Sequence, residues 1–304
     1  MSRVSMAAAV LMVSTALLDA QQVFRSGVDL VHFGVVVTDK SGAPILSLSA
    51  ADFEILEDGK RQAVKFFAGG EPESAPPLHL GFMIDNSGSM LEDIKDVQTA
   101  AIKFLNTVDN ILDVTLTDFD IEVRVARFGL DDYPRLIERI RSRKPDGYTA
   151  LYDALGVYLN GAYSQTGDKI LVLYTDGGDT RSAMTQGELL DLLKASDVTV
   201  YSIGYLQHQG SGRHEQQQIL TRFASTTGGQ AFFPTSVKEL EGMYERILRE
   251  ISGRYSIGYV SSNAKLDGAW RVVKVRLVDK PEFKNAKIRT RSGYYAPYKP
   301  ATQK

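Results

Sequence analysis

Residues 78–90 decide the fold, and they read Leu-His-Leu-Gly-Phe-Met-Ile-Asp-Asn-Ser-Gly-Ser-Met. The first seven form a short, mostly apolar run, which is typical of a strand buried on both faces of a parallel sheet. Ser and Gly follow and favour a turn. Apolar residues then recur at helical spacing between about Leu91 and Val108. A buried strand that leads through a turn into an amphipathic helix is the repeating unit of an α/β protein.

The same alternation continues along the chain. Strongly apolar strands are predicted at Lys169–Thr175 and Val198–Gly204, and capped helices are predicted to begin after Thr185 and Ser236. Such strands need cover on both faces of their sheet. The pattern therefore predicts an α/β fold, a doubly wound, Rossmann-like domain with a mostly parallel sheet, over residues 78–251.

Both flanks of this domain show the two-residue alternation of β-strands. Residues 21–72 show it at positions 31–37, and residues 252–298 show it at positions 273–277. Each flank has only about fifty residues, and neither would bury much apolar surface alone. We therefore expect the two flanks to pair into one small β-sandwich domain, with the α/β domain inserted between them.

Residues 1–20 have the pattern of a secretory signal peptide. Arg3 provides a short positive start, residues 7–18 form an uncharged run of twelve, and Leu18-Asp19-Ala20 offers a cleavage site. A run of twelve is shorter than the ~20 residues that cross a bilayer as a helix. We expect an exported protein, periplasmic, at the cell surface or secreted, with no transmembrane span in the mature chain. An uncleaved anchor or a buried N-terminal helix is the alternative.

The composition is that of an ordinary globular protein and excludes several classes of function. Of 304 residues, 43% are apolar and 24% are charged. The 35 Lys and Arg balance 37 Asp and Glu, for a formal net charge of −2, so the overall charge gives no electrostatic reason to expect nucleic acid as a partner. The chain has no Cys and only four His. Disulfides, thiolate chemistry and Cys-based metal sites are therefore excluded, and oxygen atoms remain as candidate ligands.

Five polar side chains stand where the ends of the predicted strands would bring them together. Asp85 ends the first buried strand, and Ser87 and Ser89 follow in the turn. Asp176 ends a later buried strand, and Thr149 lies in a loop just before a helix. Ligands of open α/β sheets bind beyond the carboxyl ends of the strands. Carboxylate and hydroxyl oxygens suit Mg²⁺, Mn²⁺ or Ca²⁺, so a divalent-cation site is predicted here.

The order of these motifs resembles the von Willebrand factor type A (VWA) domain. Asp-x-Ser-x-Ser after a buried strand, Gly-x-Thr before a helix and Thr-Asp-Gly after another strand are similar to the metal-ion-dependent adhesion site of that family. The resemblance covers about residues 78–251. The flanks, with Glu57-Asp58-Gly59-Lys60 and Arg291-Ser292-Gly293-Tyr294-Tyr295, look like those of the exported bacterial VWFA-related proteins numerous in Acidobacteria.

The resemblance implies a role for each of the five residues. Ser87 and Ser89 would bind the ion directly, Thr149 directly or through water, and Asp85 and Asp176 directly or through bridging waters. One position would be left for an Asp or Glu carboxylate of a protein partner. The implied function is a non-enzymatic, divalent-cation-dependent protein–protein interaction or adhesion.

Two other functions remain open. A metal-assisted phosphohydrolase also begins from a strand-end Asp with Mg²⁺, but Ser87 stands where an Asp-x-Asp pair needs an acid, and no general base is identifiable. A structural envelope protein with a vestigial metal site is the third hypothesis. The segment 85–89 alone is also compatible with a simple helix N-cap turn.

Several nearby charges have simpler interpretations. Asp118 and Asp120 are interpreted as solvated turn residues rather than an outer shell around the ion, and Asp179 as a surface charge of its loop. Arg271 is interpreted, with Lys274 and Arg276, as part of a solvated strand face.

Overall fold

A computed structural model describes residues 30–70, 77–176, 178–206 and 212–299. The predicted signal peptide lies outside these residues. Helices α1–α6 span Ile94–Leu105, Tyr133–Ser142, Leu151–Ala162, Gln186–Ala195, Arg213–Thr226 and Val237–Ser252. Strands β1–β14 span Leu30–Thr38, Phe53–Glu57, Lys60–Gln62, Val64–Gly69, Leu78–Asp85, Ile111–Phe119, Val123–Gly129, Asp168–Thr175, Thr199–Gly204, Ala231–Phe232, Tyr255–Val260, Trp270–Leu277, Lys287–Arg289 and Gly293–Tyr295.

The central sheet confirms the predicted doubly wound α/β fold. Its strand order is β10-β9-β8-β5-β6-β7, with every neighbouring pair parallel except β6 and β7. Phe82 packs in a core with helices α1, α2 and α6, whereas the next residue, Met83, packs in a core with α3, α4 and α5. Both faces of the sheet are therefore covered, which explains why β5 is buried along its whole length.

The helix caps follow from local sequence. Thr185 Oγ1 accepts a hydrogen bond from the backbone N–H of Glu188, whose carboxylate accepts one from the backbone N–H of Thr185 at 2.8 Å. This reciprocal pair satisfies two donors at the start of α4. Ser236 Oγ caps α6 by accepting from the N–H of Glu239 at 3.2 Å. None of the six helices in the described part of the chain has the length and apolar composition that a membrane crossing requires.

Two four-stranded sheets confirm the predicted β-sandwich. Their strand orders are β13-β1-β11-β4 and β14-β12-β2-β3. In the first, β1 pairs antiparallel with β11, and in the second, β2 pairs antiparallel with β12. Each sheet therefore contains strands from both flanks of the α/β domain. The two sheets share one apolar core, which includes Phe33, Val35, Ile55, Tyr255, Ile257 and Val275.

The sandwich and the α/β domain are joined by polar contacts of two arginines. Arg289 pairs with the buried carboxylate of Glu250 in α6. Arg291 donates to the backbone carbonyls of Ser196 at 3.2 Å and His32 at 2.7 Å. Ser256 of β11 also donates to Asp168, the first residue of β8, at 3.5 Å, so the sandwich lies at the amino end of the central sheet, opposite the edge of the candidate site.

Candidate metal centre

The site is built around Asp85, the last residue of β5, which is fully buried. One of its carboxylate oxygens, Oδ1, accepts a hydrogen bond of 2.9 Å from the backbone N–H of Ser87. The other, Oδ2, accepts one of 2.6 Å from Thr175 Oγ1, at the end of the neighbouring strand β8. These two bonds hold the carboxylate in one orientation and begin the turn that leads to α1.

A continuous hydrogen-bonded group joins four of the five predicted residues. Ser87 follows Asp85, and its Oγ lies 3.0 Å from Ser89 Oγ. Ser89 Oγ in turn donates to Asp176 Oδ1 at 2.9 Å. Asp176 lies directly after β8, beside β5. The structure therefore brings these four side chains together at the carboxyl edge of the sheet, where they were expected.

Thr149 lies in the loop that packs against this turn. The backbone N–H of Gly88 donates to the carbonyl of Gly147 at 3.0 Å, and that of Asp146 donates to the carbonyl of Asn86 at 2.9 Å. Gly147 has φ +72°, a conformation that favours glycine. The Thr149 side chain is 5% exposed. Its hydroxyl makes no hydrogen bond to the other four residues within the described ranges, so Thr149 lies in the adjoining loop and outside their hydrogen-bonded group.

Burial and like charge both act on the two carboxyl groups. Burial raises the pKa of Asp85. For Asp176, burial first and the neighbouring charge of Asp85 second raise the pKa to about 7. Two negative charges close together in a buried site cost free energy. A cation bound between them would remove that cost.

One oxygen atom of the site fits a hard cation. Asp176 Oδ2 is buried and has no hydrogen-bond partner in the described part of the chain. Buried oxygens without a partner are rare in native proteins because each costs about 1–3 kcal/mol. No group of three or more His, Cys, Asp or Glu side chains is arranged for metal binding in the ranges described. The candidate centre therefore relies on hydroxyl oxygens beside its two carboxylates.

The motifs alone do not reveal one contributor, Thr175. It lies in the quoted motif Thr-Asp-Gly, and its hydroxyl orients the Asp85 carboxylate. The contact depends on the pairing of β5 with β8, which the motif does not contain.

The interpretation of Asp118 as a solvated turn residue was wrong. Its side chain is 2% exposed and is paired with Arg139 at 2.7 Å, Arg143 at 3.0 Å and Arg124 at 3.6 Å. Asp120 is also mostly buried and pairs with Arg124 at 3.0 Å. Both aspartates pair with arginines near the end of β6.

Asp179 is also not a free surface charge. Its carboxylate accepts hydrogen bonds of 3.2 Å from the backbone N–H of Tyr152, at the start of α3, and from that of Ser182. It therefore satisfies a donor in the first turn of the helix that follows Thr149. This contact holds the loop of Thr149 from its C-terminal side.

Comparison with known proteins identifies the family. The family model for the von Willebrand factor type A domain matches residues 79–246. No curated protein matches the chain. The D319A mutant of the PilB minor pilin from Streptococcus sanguinis is 18% identical, with 60% of this chain and 62% of the pilin covered and a TM-score of 0.49.

Two further structures match at similar levels. The vWF domain of the type V pili tip protein Mfa5 from Porphyromonas gingivalis is 13% identical, with 58% of this chain and 95% of that chain covered and a TM-score of 0.48. A von Willebrand factor type A protein from Catenulispora acidiphila is 12% identical, with 92% and 76% covered and a TM-score of 0.48. The chain spans less than two thirds of the PilB structure. The family model, in contrast, matches more than half of the chain, and the chain therefore belongs to the von Willebrand factor type A domain family.

Proposed function

We propose that the chain binds a divalent cation, with Mg²⁺ as the first choice over Mn²⁺ and Ca²⁺, and uses it for a non-enzymatic protein–protein interaction or adhesion. Asp85, Ser87, Ser89, Thr149 and Asp176 would hold the ion. The observation that carries the proposal is the convergence of two buried carboxylates with hydroxyls at one edge of the sheet. The unpartnered Oδ2 of Asp176 supports it.

The chain's own residues prepare this site before any ion arrives. Thr175 and the N–H of Ser87 hold the Asp85 carboxylate from two sides. The hydrogen bond from Gly88 to Gly147 holds the Thr149 loop against the turn. A site whose ligands are already oriented loses little conformational freedom on binding.

The partner follows from the charges. A bound cation supplies positive charge at the surface of an otherwise acidic pocket. Two protein carboxylates just balance a divalent ion formally, and their hydrogen bonds to Thr175 and Ser89 withdraw part of their charge. An Asp or Glu carboxylate of a protein partner is the group that would bind there with a charge-assisted bond.

A metal-assisted phosphohydrolase fits the site less well. The titratable side chains of the hydrogen-bonded group are Asp85 and Asp176, and the proposal uses both as ligands. No separate group is left there to act as general base. Turnover of a generic phosphoester that disappears in Asp85→Asn would favour the enzyme over the interaction module.

We also propose that the protein is exported, from the pattern of residues 1–20. Expression of the full chain in a bacterium with fractionation and N-terminal sequencing tests this. The expected result is a periplasmic or secreted product that begins at about Gln21. A full-length cytoplasmic product would contradict it.

The decisive experiment on the site is calorimetric titration of the full chain with MgCl₂ and MnCl₂. Asp85→Ala should abolish cation binding, whereas Asp131→Ala, which removes an exposed carboxylate in a distant turn, should leave it unchanged. Circular dichroism checks that both variants stay folded. Cation affinity that is the same in the wild type and in Asp85→Ala would refute the proposal.

The interaction itself is tested with the same pair of variants. Envelope extracts are passed over the immobilised chain in Mg²⁺ and in EDTA, and a bound partner is then competed with a short acidic peptide. Retention should require Mg²⁺ and be lost in Asp85→Ala but not in Asp131→Ala. Retention that is equal in EDTA would indicate a structural protein with a vestigial site.

A further inference from the structure

The loops around the candidate metal centre expose large apolar side chains. Leu91 comes two positions after Ser89 and is 67% exposed, more than any other leucine in the described part of the chain. Tyr148 comes directly before Thr149 and is 63% exposed. Ile121, in the turn between β6 and β7, is 51% exposed. Single exposed apolar residues are ordinary on protein surfaces, so it matters whether these three share one surface.

Hydrogen bonds join the β6–β7 turn to both of the other loops. The backbone N–H of Asn86 donates to the carbonyl of Phe119, the last residue of β6, at 2.7 Å. The backbone N–H of Ala150 donates to the carbonyl of Asp120 at 2.8 Å. Ile121 follows directly in this turn, so it adjoins both the turn after β5 and the loop before α3.

The remaining two loops are joined to each other. The backbone N–H of Gly88 donates to the carbonyl of Gly147 at 3.0 Å, and Leu91 and Tyr148 follow this bond by a few residues on either side. Each of the three loops is thus hydrogen-bonded to the other two, at the carboxyl edge of the sheet where the candidate centre lies. We call the side chains of Leu91, Ile121 and Tyr148 the apolar rim of the centre.

The apolar rim takes no part in the cores of the protein. Met90, the neighbour of Leu91, is fully buried in the core that includes α1 and already anchors this turn. In the described ranges, none of the three rim residues belongs to an apolar core or packs against one. Apolar surface that stays in water costs free energy, and cover by a partner recovers it. The position and the exposure of the rim therefore suit it to contact with another molecule.

The rim lies within reach of a residue beside a bound carboxylate. Consecutive Cα atoms are about 3.8 Å apart, so the Cα atoms of Leu91 and Ser89 are separated by at most about 7.6 Å. The Cα atoms of Tyr148 and Thr149 are separated by half of that. An extended partner segment advances about 3.3 Å per residue. A side chain one or two positions from an acidic residue at the ion therefore spans the distance to the rim.

We propose that the apolar rim selects protein segments in which the Asp or Glu that binds the ion is flanked, within two positions, by a large apolar side chain. The inference rests on the proposed cation-dependent function, which supplies the acidic part of the partner. The ion attracts the carboxylate by charge, and Leu91, Ile121 and Tyr148 cover the neighbouring side chain. A segment of acidic and polar residues alone would leave the rim in water, so it should bind more weakly.

The first test needs no variant. A phage-displayed library of random linear peptides is selected on the immobilised full chain in MgCl₂ and eluted with EDTA. Enriched peptides should share an Asp or Glu with a large aliphatic or aromatic residue within two positions of it. Enriched peptides that share the acidic residue alone would overturn the role of the rim and leave the proposed function standing. Enriched peptides without an acidic residue, or a library that yields none, would contradict both.

The second test uses a synthetic copy of an enriched peptide, whose affinity is measured by fluorescence anisotropy. The affinity should fall at least about tenfold in the double variant Leu91→Ser/Tyr148→Ser, because these side chains no longer bury apolar surface of the peptide. The affinity for Mg²⁺, measured by calorimetry, should stay within about twofold of the wild type, since neither residue is a proposed ligand. Selection of the library on this variant should keep the acidic residue and lose the apolar preference.

The matched control is the double variant Leu130→Ser/Tyr163→Ser. Leu130 is 57% and Tyr163 is 87% exposed, and they follow β7 and α3 at the opposite, amino edge of the sheet. This control should bind the peptide like the wild type, and circular dichroism checks that both double variants stay folded. Equal peptide affinity in Leu91→Ser/Tyr148→Ser and the wild type would overturn the proposal. Peptide binding that survives in Asp85→Ala would instead refute the proposed function.

Discussion

Ser89 Oγ donates a hydrogen bond of 2.9 Å to Asp176 Oδ1 across 87 positions of sequence. The contact depends on the sheet, because β5 and β8 are parallel neighbours with Ile84 opposite Tyr174. Both strands therefore end at the same height, and the residues that follow them meet. The candidate centre is thus a direct product of strand register, and mutations in it should act locally.

Asp176→Asn is expected to weaken stabilisation by Mg²⁺ while the chain stays folded. The amide keeps the shape of the side chain but removes one of the two carboxylates, so Mg²⁺ affinity should fall at least about tenfold, or roughly 1.4 kcal/mol. In EDTA the variant should be at least as stable as the wild type, since the repulsion with Asp85 is gone.

Urea unfolding with and without about 5–10 mM Mg²⁺ measures both effects, because an ion that binds only the folded chain raises its stability. Asp131→Asn serves as the control, because that carboxylate is exposed and lies in a different turn. A variant that keeps the full Mg²⁺ response would contradict the assignment of Asp176 as a ligand.

Asp118→Asn separates structural from metal-related carboxylates at this edge of the sheet. The change leaves Arg139 and Arg143 without their anionic partner, and we expect a loss of roughly 1–3 kcal/mol in the free energy of unfolding. Mg²⁺ affinity should stay within about twofold of the wild type, a difference of a few tenths of a kcal/mol. The opposite result, unchanged stability with weakened Mg²⁺ binding, would make Asp118 part of an outer shell around the ion.

The fold could be predicted because its signals are local. The apolar runs of β5 and β8, the capping pair Thr185 and Glu188, and the alternation in β1 are each properties of a few consecutive residues. Four of the five candidate residues could be placed for the same reason, since Asp85, Ser87 and Ser89 adjoin the end of β5 and Asp176 adjoins the end of β8, whereas Thr149 precedes α3. Which side chains then touch depends on register, which the pattern of a single strand does not contain.

The sequence-based interpretations that were wrong concern charged residues that are buried in the structure. Arg271 lies on the same face of β12 as Val273 and Val275, because alternate residues of a strand point to the same side. The alternation therefore predicts a buried position, whereas the charge favours a solvated face. That interpretation was wrong, because Arg271 is 6% exposed and pairs with Asp267 at 2.8 Å. The interpretation of Asp118 was wrong because the arginines that pair with it come from other elements, namely β7, α2 and the residue after α2.

The sandwich makes a prediction about cooperativity. We propose domain boundaries of 78–251 for the α/β domain and 21–72 with 252–298 for the sandwich. Ile55 of β2 lies opposite Val275 of β12, and both are buried. Ile55→Ala should cost about 2–5 kcal/mol, and combination with Val275→Ala should show a coupling of about 0.5–3 kcal/mol.

Urea unfolding of the wild type, both single variants and the double variant measures the coupling free energy between Ile55 and Val275. Ile55→Ala with Lys274→Ala, an exposed neighbour on the other face of β12, is the matched pair and should be additive. Zero coupling between Ile55 and Val275, or an isolated 21–72 fragment that folds on its own, would mean that the two flanks do not share one core.

The contacts of Asp52 predict how the stability of the sandwich depends on pH. Its carboxylate accepts from Lys280 of the C-terminal flank and from the N–H and hydroxyl of Ser49. The hydrogen bond from Lys280, the largest cause, and those from Ser49 lower the pKa of Asp52 to about 2. A carboxyl group whose pKa is lower in the folded than in the unfolded chain contributes stability above the unfolded pKa, near 4, and loses it as the pH falls through the folded pKa.

The difference in unfolding free energy between the wild type and Asp52→Asn should therefore be constant from about pH 5 to 7, shrink between about pH 4 and 2, and vanish below. Because the ion pair lies near the surface, part of the difference should also be lost in high salt. The unfolding free energy of Lys280→Met, a variant that loses the partner but keeps the carboxylate, should change less over the same pH range than that of the wild type. A difference that grows as the pH falls would mean that the Asp52 carboxylate does not stabilise the pairing of the two flanks.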